Sequence, residues 1–232
     1  MKNILQQKST DEQHGRTKYI LEYVDKADVK DKKMLNIGCG FGWFEYHMSR
    51  RGCKHIYGTE INEKDLETAL KGEHDEKVSF GLGNAIDLPF EDETFDTVVA
   101  WDVIEHIPPN TEKKMLSEIE RVLKNGGVFY LSTPYRSFWG TCLDPAWWLI
   151  KHRHYSKEIM GNIIKNNKKL EITEMQIRGG GWDILSILNM YIAKWVFRRK
   201  PFFEEFFNNK SDDEYQSKKE GTSTLFVKGK KV

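Results

Sequence analysis

The stretch Met34-Leu-Asn-Ile-Gly-Cys-Gly-Phe-Gly-Trp43 constrains this chain more than any other. An apolar run, Met34 to Ile37, leads into Gly38-x-Gly40-x-Gly42, and a helix-compatible segment follows. Glycines let a backbone turn sharply at positive φ and approach a ligand that a Cβ would push away. Between a buried strand and a helix N-terminus, such a loop is a nucleotide-type binding site. Glu60 closes a second strand-like run, His55-Ile-Tyr-Gly-Thr-Glu60, where an acidic side chain accepts both hydroxyls of a ribose. Trp43 stands where G-x-G-x-x-G requires its third glycine, and no Lys followed by Ser or Thr makes a P-loop. The spacing therefore fits neither a dinucleotide site nor a P-loop.

Around this loop, apolar runs bounded by Gly, Asp and Pro alternate with helix-period segments, which is the pattern of a parallel α/β sheet. The spacing predicts a leading helix over 13–26, with Tyr19, Ile20, Tyr23 and Val24 at helical intervals. Strands are expected at 33–38, 55–60, 77–81, 95–101 and 127–133, and helices at 42–51, 63–71 and 111–124. Asn110 or Thr111 should cap the last of these helices, and Asn125-Gly126 should stop it. Ser156 suits the N-cap of a helix over 157–167, with further strands at 170–177 and 224–228.

The triplet G-x-G-x-G resembles the first motif of class I S-adenosylmethionine-dependent methyltransferases. Three later blocks extend the likeness: Gly83-Asn-Ala-Ile-Asp-Leu-Pro-Phe90, Phe95-Asp-Thr-Val-Val-Ala-Trp-Asp-Val-Ile-Glu-His-Ile107 and Leu123-Lys-Asn-Gly-Gly-Val-Phe-Tyr-Leu-Ser-Thr-Pro134. In this order they look like the small-molecule branch typified by ubiquinone and menaquinone methyltransferases, over residues 14–133. The resemblance implies a Rossmann-like α/β fold, a mostly parallel seven-stranded sheet with helices on both faces. In that family the last strand is antiparallel and sits between the fifth and sixth. It also implies one methyltransferase domain over 1–232, with 134–155 and 179–221 as lid or substrate insertions after the fifth and sixth strands. The expected cofactor is S-adenosyl-L-methionine and the expected partner a small-molecule acceptor, an apolar or lipid-linked one being a form that fits.

Carried onto this sequence, the resemblance puts Gly38, Gly40 and Gly42 beneath the methionine moiety and ribose, and Glu60 on the ribose hydroxyls. Asn84 takes the position that reads the adenine amino group, with Ala85 beside it and Ile61 or Ile86 flanking the ring. The family most often has Asp at 84, but Asn still offers a carbonyl acceptor and an amide donor. Asn36 likewise replaces the common acidic residue of the first motif. Asp102 closes the fourth strand, where ligands of open α/β sheets bind, and helps position the methionine end or the acceptor. It begins Asp102-Val-Ile-Glu, not the Asp/Asn-Pro-Pro-Tyr of amino-methylating enzymes that act on nucleic acid bases.

Methyl transfer asks little of a protein beyond alignment and exclusion of water. A general base is needed only for an acceptor that loses its proton with difficulty near neutral pH. Glu105-His106 leaves three readings open. His106 is a general base; or Asp102, Glu105 and His106 hold a divalent ion, as a similar acid-x-x-Glu-His arrangement does in some ubiquinone-type relatives; or Glu105 and His106 brace the turn. His152, His154 and Tyr155 either line the acceptor pocket or pack the loop that seats the helix at 157. Two histidines two apart do not by themselves make a metal site.

The 232 residues carry a net charge of +1, so no strong global pull toward nucleic acid is expected and none is assigned as a partner. The 3 cysteines, Cys39, Cys53 and Cys142, lack metal spacing and read as reduced thiols of the cytoplasm. The opening MKNILQQKST lacks a signal-peptide core, in keeping with that location. Trp182 to Phe197 is broadly apolar and too short to span a bilayer, with Arg198-Arg-Lys200 and then Phe202, Phe203, Phe206 and Phe207 beyond it. Across 182–207 this suits peripheral membrane contact, a cover for an apolar substrate, a homodimer contact, or packing on the sheet. A protein or RNA methyltransferase and a non-catalytic cofactor-binding relative are the rival functions.

Overall fold

Side chains along a strand alternate between its two faces, and in this chain both faces of the central strands are apolar. Leu35, Ile37, Val98, Ala100, Phe129, Leu131, Leu225 and Val227 point into one buried layer. Met34, Val99, Trp101, Tyr130 and Phe226, their immediate neighbours in sequence, point into the other. The computed structural model describes residues 11–72, 74–144, 147–148 and 151–232, so the opening decapeptide and parts of the 134–155 segment lie outside the described residues.

Seven strands make one sheet: β1 (Lys33–Ile37), β2 (His55–Glu60), β3 (Val78–Leu82), β4 (Phe95–Trp101), β5 (Leu123–Pro134), β6 (Leu170–Arg178) and β7 (Thr224–Lys231). Their order is β3-β2-β1-β4-β5-β7-β6, parallel throughout except that β7 runs antiparallel to both β5 and β6. This is the topology the resemblance implied. Helices α1 (Gly15–Tyr23) and α2 (Trp43–Arg50) cover one face, where Tyr19, Ile20, Tyr23, Phe44 and Met48 are buried. The other face receives α4 (Glu112–Val122) and α6 (Lys157–Lys165) through Met115, Leu116, Ile119, Met160 and Ile164. A short α3 (Glu63–Leu70) follows β2, its N-cap Asn62 accepting from the Lys64 amide.

Several boundaries differ from the sequence expectation. Helix α4 ends at Val122 and the chain enters β5 at once, so Asn125-Gly126 lies inside the strand rather than stopping the helix. The ladder with β4 slips there: Phe95 faces Leu123 but Thr97 faces Val128, and Gly126 takes φ +75° in the bulge. Turn-forming residues served a bulge here. Thr111 is the N-cap of α4 but caps by no side-chain bond, whereas Ser156 accepts from the Ile159 amide as expected. Strand β7 runs to Lys231, three residues beyond the expected 224–228, because the Lys231 ammonium donates to the Leu123 carbonyl and stays buried.

The two long connections carry their own helices. Between β5 and α6 lies α5 (Phe138–Cys142); between β6 and β7 lie α7 (Gly181–Trp195) and α8 (Glu204–Gln216). Buried Asp183 of α7 accepts from Ser211 and Tyr215 of α8 and from Ser223 before β7, which ties this pair of helices to the sheet. The sheet positions everything functional: the chain turns one way from β1 to β2 and β3 and the other way from β4 to β5. The C-terminal ends of β1 and β4 therefore diverge into a crevice.

Candidate active site

A cleft of about 420 Å³ opens at that crevice. Its walls come from the four loops that leave β1, β2, β3 and β4, and include Gly38, Glu60, Asn84, Asp102 and His106. The glycine loop is fixed to β2, because the Gly38 and Cys39 amides both donate to the Thr59 carbonyl, at 2.8 and 2.9 Å. Gly38, Gly40 and Gly42 take φ of +75°, +55° and +83°. A Cβ on Gly38 would fall 2.7 Å from Val103, and one on Gly42 would fall 2.8 Å from the Phe80 ring. At Gly40 nothing of the protein comes within 4 Å, so the space beside it belongs to the loop's open side.

Glu60, at the end of β2, lines the cleft. One of its oxygens takes the Gly40 amide at 3.1 Å; the other takes the amides of Ile61 and Asn62 at 2.9 and 3.2 Å. Three backbone donors thus aim the carboxylate, and its remaining lone pairs are available to hydroxyl donors. The apolar Ile61 side chain beside it is 67 % exposed on the cleft rim. Across the cleft, Asn84 accepts from the Ile86 amide at 3.2 Å, which holds its side chain in a local turn beside buried Ala85. Ile86 itself packs against the core and does not line the cleft as Ile61 does.

Asn36 is placed elsewhere. It points from β1 into the layer under the loop, 2 % exposed, and its amide donates to Glu45 of α2 at 2.8 Å. Alternation explains this, since Asn36 shares the face of Met34, not that of Ile37. Burial lifts the Glu45 carboxyl to about 8. Burial also pushes the Cys39 thiol up, so the cysteine of the loop is an inert core residue.

Asp102 sits at φ +54° at the end of β4, a conformation that costs a non-glycine residue energy and is held by its partners. Ser132 of β5 donates to one carboxylate oxygen at 2.9 Å, and Arg16 of α1 meets the other at 2.7 Å. Arg16 had no signature in the sequence, yet it pairs with the Asp102 carboxylate of the cleft wall. It also lines a second cavity of about 130 Å³, between α5 and α7, with Tyr135, His152, His154, Ile184 and Tyr191. The Asp102 charge raises the Arg16 guanidinium above its ordinary range, which keeps the ion pair intact.

The turn after β4 is clamped from the segment Lys151-His-Arg-His-Tyr155, which runs extended beside Tyr135. Arg153 donates to the carbonyls of Ile104, Glu105 and Ile107 and to Glu112, at 2.7, 3.2, 2.5 and 2.5 Å. Tyr155 adds bonds to the Ile104 carbonyl and Glu112. Arg153 and Tyr155 thus brace this turn from the segment that precedes α6. Thr133 donates to one oxygen of buried Glu105 at 3.0 Å, and burial followed by the Asp102 charge raises that carboxyl well above its usual range. His106 is pushed the other way, first by burial and then by His152, so its neutral form is favoured.

His152 and His154 alternate with the clamping residues and face the opposite way. Glu105, His106 and His152 bring ligand atoms within 4.8 Å of one another, and so do Asp144, His152 and His154. Asp102 is in neither group; it is engaged by Arg16 and Ser132. The sequence reading did not single out Asp144 or Arg16, which the structure brings to this region.

Residues 35–131 match the family model described as a methyltransferase domain. Norajmaline N-methyltransferase of Rauvolfia serpentina is 35% identical over 118 residues, covering 49% of this chain and 40% of that protein. The ubiquinone biosynthesis O-methyltransferase of Neisseria meningitidis serogroup C is 28% identical over 125 residues, covering 49% of each chain. This chain therefore spans less than half the length of these relatives. Among solved structures, a putative sarcosine dimethylglycine methyltransferase from Galdieria sulphuraria superposes with a TM-score of 0.66 at 17% identity, covering 93% of this chain and 84% of that one.

Proposed function

Through residues 35–131 the chain belongs to the class I S-adenosylmethionine-dependent methyltransferases, and from that premise we propose that it transfers the cofactor's methyl group to a small-molecule acceptor. The observation that carries this reading is the Glu60 carboxylate, tied by the Gly40 amide to the glycine loop at the crevice between β1 and β4. The residues present fit the cofactor. Gly40 leaves open space that a side chain would fill, Glu60 keeps lone pairs for a diol, and exposed Ile61 offers an apolar edge to a flat ring. Asn84 supplies a carbonyl and an amide for the ring's polar edge.

When bound, the cofactor supplies an already electrophilic methyl carbon. The chain's own residues align the acceptor and manage its proton. Asp102, anchored by Arg16 and Ser132, supports the end of the cleft where the methionine moiety belongs. His106, on the cleft wall and favoured neutral, takes the acceptor's proton. The cavity between α5 and α7 holds the acceptor. It adjoins the cleft across Arg16 and His152, and Leu143, Ile184, Ile187 and Met190 among its walls select an apolar or lipid-linked molecule. Exposed aromatics on α7 and α8 serve as a peripheral membrane contact through which such an acceptor arrives.

Titration calorimetry with the cofactor tests the site. Gly40→Val should abolish binding, since valine is strained at φ +55° and fills the open side of the loop. Glu60→Ala should weaken binding by about 1.5–3 kcal/mol, the scale of a hydrogen bond to a charged group. Unchanged affinity in both variants would remove the site assignment. Methyl-labelled cofactor incubated with fractionated cell extract then shows which fraction takes the label, a lipid or small-metabolite fraction being expected rather than protein or RNA.

A further inference from the structure

The cleft and the second cavity meet at a pair of histidines. Nε2 of His106 lies 3.3 Å from Nε2 of His152, and Nδ1 of His152 lies 2.9 Å from Oδ2 of Asp144. The same carboxylate oxygen lies 2.9 Å from Nε2 of His154, whose Nδ1 meets the Thr141 hydroxyl at 3.1 Å. An ionised carboxylate only accepts, so both imidazole nitrogens that face Asp144 carry hydrogens. Neutral His152 is thereby fixed as the Nδ1–H tautomer with a bare Nε2. That nitrogen accepts from Nε2–H of His106, which leaves Nδ1 of His106 as its lone-pair atom. One carboxylate sets the tautomers of two successive rings.

Glu105 agrees with this assignment. Its buried Oε1 has no hydrogen-bond partner and lies 3.7 Å from Nε2 of His152. Burial favours the neutral form of Glu105, which draws no hydrogen onto Nε2 of His152 as a carboxylate would. The charges around His106 are divided: Asp102 and Asp144 favour a cation there, while Arg153 and a charged His152 oppose it.

We propose, resting on the methyl-transfer reading above, that His152 oriented by Asp144 is the positioning residue of the active site, holding His106 in its Nε2–H form and receiving the proton that His106 removes from the acceptor. The acceptor's lone pair bonds the methyl carbon as the sulfur–carbon electron pair returns to sulfur, and the acceptor's hydrogen leaves as a proton to Nδ1 of His106. The Nε2 proton of His106 passes to Nε2 of His152. Once the product has left, that proton returns to Nε2 of His106 as the Nδ1 proton of His106 passes to water, which restores both resting tautomers.

Long-range proton–nitrogen spectra of protein labelled with 15N-histidine test the relay directly, with His106→Gln and His152→Gln used to assign the rings. His152 should appear as Nδ1–H, the form a free imidazole side chain adopts less often, and His106 as Nε2–H. Asp144→Asn keeps a carbonyl acceptor and should preserve both tautomers; Asp144→Ala should return His152 to Nε2–H and reverse His106. Finding wild-type His152 as Nε2–H would overturn the proposal. So would stoichiometric visible bands on adding cobalt(II), because the rings would then be metal ligands. Calorimetry with the cofactor on the same sample separates the two ideas: lost cofactor binding counts against methyl transfer, whereas wrong tautomers with binding intact count against the relay alone.

Discussion

Asn36 and Glu45 each bury an oxygen without a partner, Oδ1 of the amide and Oε2 of the acid, although a 2.8 Å bond already joins the two side chains. One proton on Glu45 satisfies both, since a carboxylic acid and a primary amide can exchange two hydrogen bonds. Burial drives the carboxyl from its ordinary 4.5 to about 8, in keeping with that proton. The folded chain then binds more protons than the unfolded chain between these values. Stability should fall as pH rises from about 4.5 to about 8, with a limiting slope of about 1.4 kcal/mol per pH unit from this group. Glu45→Gln retains both hydrogen bonds without a proton to lose. Urea unfolding at pH values on either side of the window should show a smaller alkaline loss in Glu45→Gln than in the wild type; equal losses would mean that Glu45 is ionised throughout. The common acidic residue at position 36 would set two acids side by side here, which gives the asparagine its physical reason.

At the scale of elements, the segment 151–155 is a short extended piece that reads with period two. Arg153 and Tyr155 grip the turn after β4, and His152 and His154 turn to Asp144. Arg153→Ala removes four bonds from a guanidinium that is only partly exposed, and should cost about 1.5–3 kcal/mol and loosen the Ile104–Ile107 turn. Arg153→Lys should recover little, because an ammonium cannot reach several carbonyls in a plane. Thermal melts and amide exchange at residues 104–107 measure this; wild-type values in the lysine variant would make the fork dispensable. The central strands and the loop with Glu60 were legible because apolar periodicity and glycine spacing are local signals. What escaped was long-range. Arg16 reaches Asp102 from α1, and Glu45 reaches Asn36 from α2, contacts that no spacing encodes. Asn125-Gly126 misled because turn chemistry serves a bulge as readily as a helix stop.

At the scale of the whole molecule, the insertions expose apolar surface on α5 and α7, the helices that also line the second cavity. Only Asp183, Ile184 and Ala193 of α7 are buried, so packing on the sheet accounts for one side of the helix alone. Trp195 is 51 % exposed and Phe203 79 %, next to the exposed cations Arg198, Arg199 and Lys200, while Phe138 and Trp139 of α5 stand exposed beside the same cavity. No helix among the described residues is long and apolar enough to cross a membrane. Inserting a few such side chains at about 1.5–3 kcal/mol each is enough for reversible attachment. The three cations add attraction to anionic headgroups that salt screens. The protein should therefore float with anionic liposomes at low salt and less at high salt. Trp195→Glu and Phe203→Glu should lose flotation while keeping the fold and cofactor binding, since neither side chain is buried. A wild type that never floats but elutes as a dimer would assign this face to a second copy of the chain. Variants that unfold instead would show that the aromatics hold α7 and α8 together, and the acceptor would then have to enter from water.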